Sequence, residues 1–358
     1  MSRAAALFLV VVGLGAVPQG PAPSIQNGKV ETRQVTSIDR DIASAAAASA
    51  DPIWVGWRVP IVAGQRGGCC TYGDDSVSVR GCFVDSSPAG RQVPQIAAPA
   101  AVPIEAGSGL VVLVRVVEGR VERLRSLGDD CPLDAGGRTV YWLQGVTAGT
   151  SLTFLEGLLQ SNPIMTPAQE RRLSSEAMSA ISLHGDPAAD ALLDRLASAT
   201  SDGNLRQSAR SALGSTRGAH GFDVLQRLLN AERIPEVHRQ LVSAIGQTRQ
   251  PGTAALLLGV ARSDADTKTR AEAIYWVPQR GGSSVVSDVV KIVDSDSSDD
   301  VKQRGVRGIG RLPDADGVPV LLQLARSTKS PVIRKEAVAA LGKSRDPRAL
   351  AYLEEVLK

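Results

Sequence analysis

The sequence predicts an α+β multidomain chain: a small disulfide-bearing β-rich domain followed by an all-α superhelical solenoid. Three observations carry this reading. Helical text recurs at a fixed step of 32 residues through the C-terminal half. The region before it alternates short apolar runs with Gly- and Pro-rich turns. All four cysteines fall in that earlier region.

The repeat is clearest at Val332–Gly342, VIRKEAVAALG. Stepping back gives Val301–Gly310, Thr269–Pro278, Val237–Gly246 and Leu205–Gly214, with no insertion or deletion. A fixed period in this range marks a solenoid whose units bury their apolar faces against one another. Two helices per unit are expected. In the second helix a small-residue column runs Ala177, Ala209, Leu241, Ala273, Gly305, Ala337. Four residues on, an aliphatic column runs Ile181, Leu213, Ile245, Val277, Ile309, Leu341. That spacing puts both columns on one helix face.

Helix starts are periodic too. The N-cap column reads Asp202, Ile234, Asp266, Ser298, Ser330, and four of the five can accept a bond from a free first-turn N–H. Pro235 and Pro331 follow in the first helical position, where proline is tolerated. Gly214, Gly246, Gly310 and Gly342 mark the ends. The first helix of each unit carries a stripe built on Leu193, Leu225, Leu257, Val289, Leu321 and Leu353. Three residues further come Leu196, Leu228, Val260, Ile292, Leu324 and Val356.

These residues resemble the HEAT-like repeats, in particular the short bacterial type also found in phycobilin lyases. The V-R-x-x-A-x-x-A-L-G helix is most complete at Ile333–Gly342. The preceding D-P-x-A-x-x-x-L start is present at Asp186–Leu193 and Asp346–Leu353. The resemblance covers Thr166–Lys358, with the repeats proper over 186–358. It implies a superhelical stack, and such arrays are mostly interaction scaffolds. A lyase- or chaperone-like helper enzyme is the alternative that the same resemblance implies.

From the N-terminus, Arg3 precedes an apolar run, Ala4–Val17, too short for a comfortable membrane span. Residues 1–24 are therefore expected to be a signal sequence, and the chain to be exported to the periplasm or the extracellular space. No membrane span is expected after its removal. Residues 25–50 read as a linker, with a short helix over Ser37–Ala50. The β-rich domain is expected over 51–148. Its strands are Ile53–Val62, Ser76–Val84, a hairpin of Leu110–Val117 and Val121–Leu127, and Thr139–Leu143. Gln92–Ala106 reads as a loop. Residues 149–185 read as capping helices, the second opened by a Thr166–Gln169 capping box.

Cys69, Cys70, Cys82 and Cys131 are an even set in a small domain of an exported chain, which reads as two disulfides. Adjacent cysteines form a strained ring, so Cys69 and Cys70 are expected to divide Cys82 and Cys131 between them. A four-cysteine zinc site lacks its usual C-x-x-C pair here. No metal and no cofactor are expected.

No catalytic set can be assembled. His184, His220 and His238 have no metal-ligand spacing. Asp129, Asp130 and Asp134 could hold a hard cation but lack an ordered calcium-loop spacing, so a turn pinned by Cys131 is the stronger reading. Gly67 and Gly68 lack the Lys-Ser/Thr of a phosphate loop. A formal charge of +3 gives no reason to expect a nucleic-acid partner.

The remaining candidate is a surface for a protein partner. A basic column runs Arg206, His238, Arg270, Lys302, Arg334 along the second helices. It is either a groove that takes an anion or an acidic segment of a partner, or a set of internal bonds to loop and cap acids. Tyr275 and Trp276 break small-residue columns: Trp276 stands where other units have Ala212, Ala244, Gly308 and Ala340. Arg239, Arg270, Tyr275, Trp276, Lys302 and Arg304 are therefore the candidate partner-binding residues. A third reading is an envelope sensor with the β domain as ligand receiver.

Overall fold

A computed structural model describes residues 22–73, 78–85, 109–160, 162–199 and 202–356. Most of the expected signal sequence and the Gln92–Ala106 loop lie outside them. The chain divides into two compact units, Met1–Val59 with Arg66–Ser151, and Pro60–Gln65 with Leu152–Lys358.

The first unit is built on a five-stranded sheet in the order β2-β10-β3-β7-β8. Its strands are β2 (Lys29–Gln34), β3 (Ile53–Pro60), β7 (Gly109–Val117), β8 (Arg120–Gly128) and β10 (Thr139–Gln144). A second sheet orders β1 (Ile25–Gln26), β9 (Leu133–Asp134) and β6 (Cys82–Phe83) as β1-β9-β6. Strands β4 (Thr71–Gly73) and β5 (Ser78–Arg80) pair separately. The expected hairpin forms: β7 and β8 are antiparallel and turn at Glu118 and Gly119, both at positive φ. That backbone suits the twist of a two-residue hairpin.

β7 is apolar on both faces because both are covered, and continuous rather than alternating apolar text is the mark of such a strand. Leu110 to Val114 are fully buried. One face packs Trp54, Val111, Leu113, Val140 and Trp142 with Cys82 and Cys131. On the other side of the pleat, helix α1 (Ile38–Ala47) contacts β7 and buries Ile38, Ile42 and Ala45. Trp57 is fully buried and its indole N–H donates to Ser151 Oγ at 2.9 Å.

Residues 25–50 are not a linker. They supply β1, β2 and α1, and β2 lies parallel to β10 over six paired positions, from Thr139 with Lys29 to Gln144 with Gln34. KVETRQ carries little apolar text because β2 is an edge strand, largely exposed. The expected strand over Ser76–Val84 is two short ones, broken at Gly81, whose φ is 154°. Both disulfides form, Cys69–Cys131 and Cys70–Cys82.

The second unit contains α2 (Ala148–Gly157) from its middle onward, then α3 (Pro167–Leu183) with the predicted capping box at Thr166 and Gln169. Twelve α-helices fill 167–356, with no strand among the described residues there. The second helices are α5 (Gly203–Thr216), α7 (Pro235–Gln247), α9 (Thr267–Gly281), α11 (Asp299–Ile309) and α13 (Pro331–Leu341). Their starts hold the 32-residue step throughout, and they pack on one another in chain order. α3 joins the stack by packing on α5, with Ala177 and Ile181 fully buried. Every member of the aliphatic column from Ile181 to Leu341 is 0% exposed.

The first helices keep a looser register. They are α4 (Pro187–Ala199), α6 (Gly218–Ala231), α8 (Thr253–Ser263), α10 (Val286–Ser295), α12 (Asp314–Ser327) and α14 (Pro347–Val356), with a 3₁₀ turn at Gly282–Val285. Leu193, Leu225, Leu257, Val289 and Leu321 are buried as expected. The next column is not uniform: Leu228 and Val260 are half-buried, and Leu229 and Ala261, one residue on, are buried instead. Loops of varying length start these helices at varying rotation, and one residue turns a helix by about 100°.

Replacing Ile245 by Ala should lower unfolding stability by about 2–5 kcal/mol, the usual cost of emptying a buried aliphatic site. Replacing Val356, which is 56% exposed, should change it by less than about 0.5 kcal/mol. Paired denaturant titrations check both, and equal effects would show that the column does not mark the seam.

Candidate functional site on the second-helix face

Helices α7, α9 and α11 lie side by side and carry all six candidate residues. Arg239 is on α7. Arg270, Tyr275 and Trp276 are on α9, and Lys302 and Arg304 on α11. α9 and α11 approach closely because α11 offers glycine at the contact: a Cβ at Gly308 would fall 2.7 Å from the Tyr275 carbonyl oxygen.

The basic column is bonded into the array. Arg270 donates from Nε to Asp296 Oδ2 at 3.0 Å, from Nη2 to Asp296 Oδ1 at 3.3 Å, and from Nη1 to the Asp264 carbonyl at 3.0 Å. One unit earlier, His238 Nδ1 lies 3.3 Å from Asp264 Oδ2. Arg334 donates to the Thr328 carbonyl at 2.7 Å. Burial pushes the Asp296 carboxyl up, but the Arg270 hydrogen bond, the Ser298 N–H and the Lys302 charge together hold it below the usual carboxylate range. Of the two readings of this column, internal bonding describes Arg270.

The acids belong to a column that the sequence reading did not pick out: Glu232, Asp264, Asp296, with Thr328 in fourth place. Each side chain accepts the N–H of the N-cap residue two positions on, Ile234 at 2.8 Å, Asp266 at 2.9 Å, Ser298 at 2.8 Å and Ser330 at 3.2 Å. Asp202, Asp266 and Ser330 also cap their helices with their own side chains, whereas Ser298, expected to cap, makes no such bond. The signal was available as a polar column at the same 32-residue step, two residues before the caps.

Tyr275 and Trp276 form a second cluster. Both are half-buried and meet edge to face, ring centroids 5.4 Å apart. The Trp276 indole lies over Gly246 of the preceding unit, where a Cβ would strike the ring. Its N–H donates to Glu272 Oε1 at 2.9 Å, and Glu272 Oε2 holds Arg304 at 3.3 Å. Arg304 lies 6.0 Å from the Tyr275 ring centroid, and Arg280 5.1 Å from that of Trp276. Arg239 pairs with Glu236 one turn away. Glu272 and Arg280 were not singled out in the sequence because they stand four residues either side of Trp276 within one helix, while the columns compare units. Lys302 is half-buried on α11, and its charge acts on Asp296.

Beside the column run two open grooves. One of about 510 Å³ is lined by Arg262, Asp264, Arg270, Asp288, Lys291 and Asp296. The other, about 660 Å³, is lined by Arg233, His238, Leu256 and Asp264 among others. Both signs of charge alternate along them, so neither offers a concentrated field to a single ion.

Elsewhere the sequence candidates are bonded to their own neighbours, although Asp129 Oδ1 and His184 Nε2 are buried without a hydrogen-bond partner. Asp129 pairs with Arg58 at 2.7 Å and Asp130 with Arg80 at 2.8 Å. Asp134 accepts from Asn27 and from the Gly136 N–H, both at 2.9 Å, which makes the loop an Asx-type turn. His220 bonds Asp194 at 3.0 Å. Among the described residues the one group of His, Cys, Asp or Glu close enough to hold a metal is Cys69, Cys82 and Cys131, whose sulfurs are in the disulfides.

His184 ends α3 and is 0% exposed. Burial pushes its imidazole down to about 4, with Asp186 opposing and Arg217 assisting. The folded state therefore holds it neutral, while the unfolded chain takes up a proton below about pH 6.5. Stability should rise with pH between about 4 and 6.5, by as much as roughly 3 kcal/mol from this residue. A His184→Gln variant should lose that part of the pH dependence in denaturant titrations. An unchanged slope would place the acid sensitivity elsewhere.

The comparisons with known proteins fall on this array. A family model described as HEAT repeats matches residues 189–276 and 286–358. The complex of CpcE and CpcF of phycocyanin lyase from Nostoc sp. PCC7120 is similar at 14% identity and a TM-score of 0.35, covering 43% of this chain and 99% of that one. Human deoxyhypusine hydroxylase in complex with glycerol is similar at 16% identity and a TM-score of 0.30, covering 58% and 91%. No curated protein sequence matches the chain. The repeated columns, their burial and the matched residues agree: this is a HEAT-like repeat protein, its array following an N-terminal β-rich unit that the family model does not reach.

Proposed function

We propose that the chain is a non-catalytic scaffold that binds a protein partner along α7, α9 and α11. The observation that carries this is the Tyr275–Trp276 pair, half-exposed on α9 and flanked by Arg280 and Arg304, with Arg239 on the neighbouring helix α7. Aromatic and arginine side chains dominate binding energetics because they combine apolar area with directed hydrogen bonds. Arg239 and Arg304 are paired with Glu236 and Glu272, so a partner carboxylate would take over a cation that is already oriented. An acidic segment fits that exchange. Arg270 serves a different end in this reading: its bonds to Asp296 hold α9 in place beneath the aromatic pair. HEAT arrays in general mediate protein interactions, which agrees with the reading.

The protein works outside the cytoplasm in this proposal. The apolar run at Ala4–Val17 and two closed disulfides support export. Among the described residues no helix is long and apolar enough to cross a membrane.

Capture of a partner with the full chain, followed by titration, tests the site. Tyr275→Ala should weaken binding by about 1–2 kcal/mol, or roughly 5- to 30-fold. Arg239→Glu with Arg304→Glu should slow association and flatten its salt dependence. Circular dichroism should show both variants folded. Folded variants with unchanged affinity at low salt would move the site to the β-rich unit.

A further inference from the structure

The two disulfides touch. Cys131 Sγ of one bridge lies 3.8 Å from Cys82 Sγ of the other, and these two sulfurs are not bonded to each other. Cys82 and Cys131 are 0% and 1% exposed, enclosed by Trp54, Val84, Val111, Leu113 and Trp142. Cys69 and Cys70, the other ends of the two bridges, are half-exposed neighbours in the chain. A Cβ at Gly68, just before them, would meet nothing within 4 Å, so the chain leading into the pair borders open space.

We propose that this four-sulfur cluster is a thiol–disulfide exchange site for dithiol partners. Its two-electron-reduced form is a surface Cys69–Cys70 dithiol over a buried Cys82–Cys131 bridge. The partner dithiol attacks whichever sulfur it can reach. Attack on Cys69 Sγ forms a mixed disulfide and expels the Cys131 thiolate. That thiolate attacks Cys82 Sγ, forming the Cys82–Cys131 bond and expelling the Cys70 thiolate, which takes a proton from water. The partner's second thiol then attacks its own bonded sulfur and releases Cys69 as a thiol. Attack on Cys70 runs the mirror course: the Cys82 thiolate attacks Cys131 and expels Cys69.

Both routes give one product. The partner dithiol loses two electrons and two protons to become a disulfide. The protein passes from two disulfides to one disulfide and two thiols.

Three features favour that product over simple opening of one bridge. The new bond closes a gap of about 1.8 Å between sulfurs already in contact. The thiols end at the half-exposed pair, where thiolates are solvated, rather than in an apolar core, where they are not. The adjacent pair does not readily close on itself because its ring is strained. The Cys70 N–H, 2.9 Å from Cys82 Sγ, also supports negative charge on that sulfur while it acts as leaving group or nucleophile.

The test uses the full oxidised chain. It is treated at about pH 8 with one molar equivalent of dithiothreitol, then iodoacetamide, and the labelled peptides are mapped. Chains carrying two labels should carry them on Cys69 and Cys70, with Cys82 and Cys131 still linked. Labels on Cys69 and Cys131, or on Cys70 and Cys82, would overturn the proposal. So would a direct passage from no label to four. A second arm reduces with a water-soluble phosphine at about pH 3 and traps with a cyanylating reagent, where protonated thiols exchange slowly. There the labels should fall on one originally bonded pair. Labels on Cys69 and Cys70 at that pH would contradict the thiolate step.

Discussion

The close approach of successive second helices is the constraint on which the array depends. Where two second helices meet, small residues stand at the same height, as Ala244, Gly308 and Ala340 do, with Trp276 the exception on α9. Glycines in or just after the last turn of the second helices take part in the same contact. A Cβ at Gly214 would strike the Ala244 carbonyl, and one at Gly310 would lie 3.1 Å from Ala340 Cβ. Backbones this close leave no room for a change of spacing, because interiors pack at crystal-like density. The 32-residue step is therefore fixed by the second helices, and the first helices, joined through loops, are free to drift by a residue or more.

Trp276 shows how such a seam takes a large side chain. It occupies the position that meets the glycine of the preceding unit, and its ring slides over Gly246 instead of inserting. The displaced indole stays half-exposed and needs a partner for its N–H, which Glu272 supplies. Glu272 in turn orients Arg304. One oversized residue in a small-residue column thus organises an aromatic and cationic patch on α9 and α11. The basic column beside it does different work. Asp264 and Asp296 tie the cap of one helix and the cation of the unit before it into a single set of bonds, so its charge is spent within the array.

The array was legible in the sequence because its period is a packing requirement. Columns found at a fixed step, such as Ile181 to Leu341, are the ones buried in the seam. Leu228 and Val260 were misplaced because periodicity says nothing of how far a loop rotates the helix it starts. Strand β2 was missed for another reason. KVETRQ has no apolar alternation, since its place in the sheet comes from backbone pairing with β10 rather than from buried side chains. The two bridges were legible from the cysteine count and the strain of adjacent cysteines. The 3.8 Å contact between them was not, because it arises where β6 meets the approach to β9, a juxtaposition of segments distant in sequence. At the candidate site the Tyr275–Trp276 anomaly was visible as a break in two columns, whereas the part of Glu272 required the geometry of a single helix.

The most direct test of the register claim is removal of one unit. Deleting Pro235–Asp266 removes one 32-residue step, joins Ile234 to Thr267 and sets Trp276 over Gly214 in place of Gly246. Its comparator, deletion of Pro235–Lys268, removes two residues more. Thermal unfolding of the two shortened chains, followed by circular dichroism, compares them. The account predicts that the 32-residue deletion unfolds in one cooperative transition with the helix content of the remaining units, and that the longer deletion loses cooperativity. Equal behaviour of the two chains would contradict it.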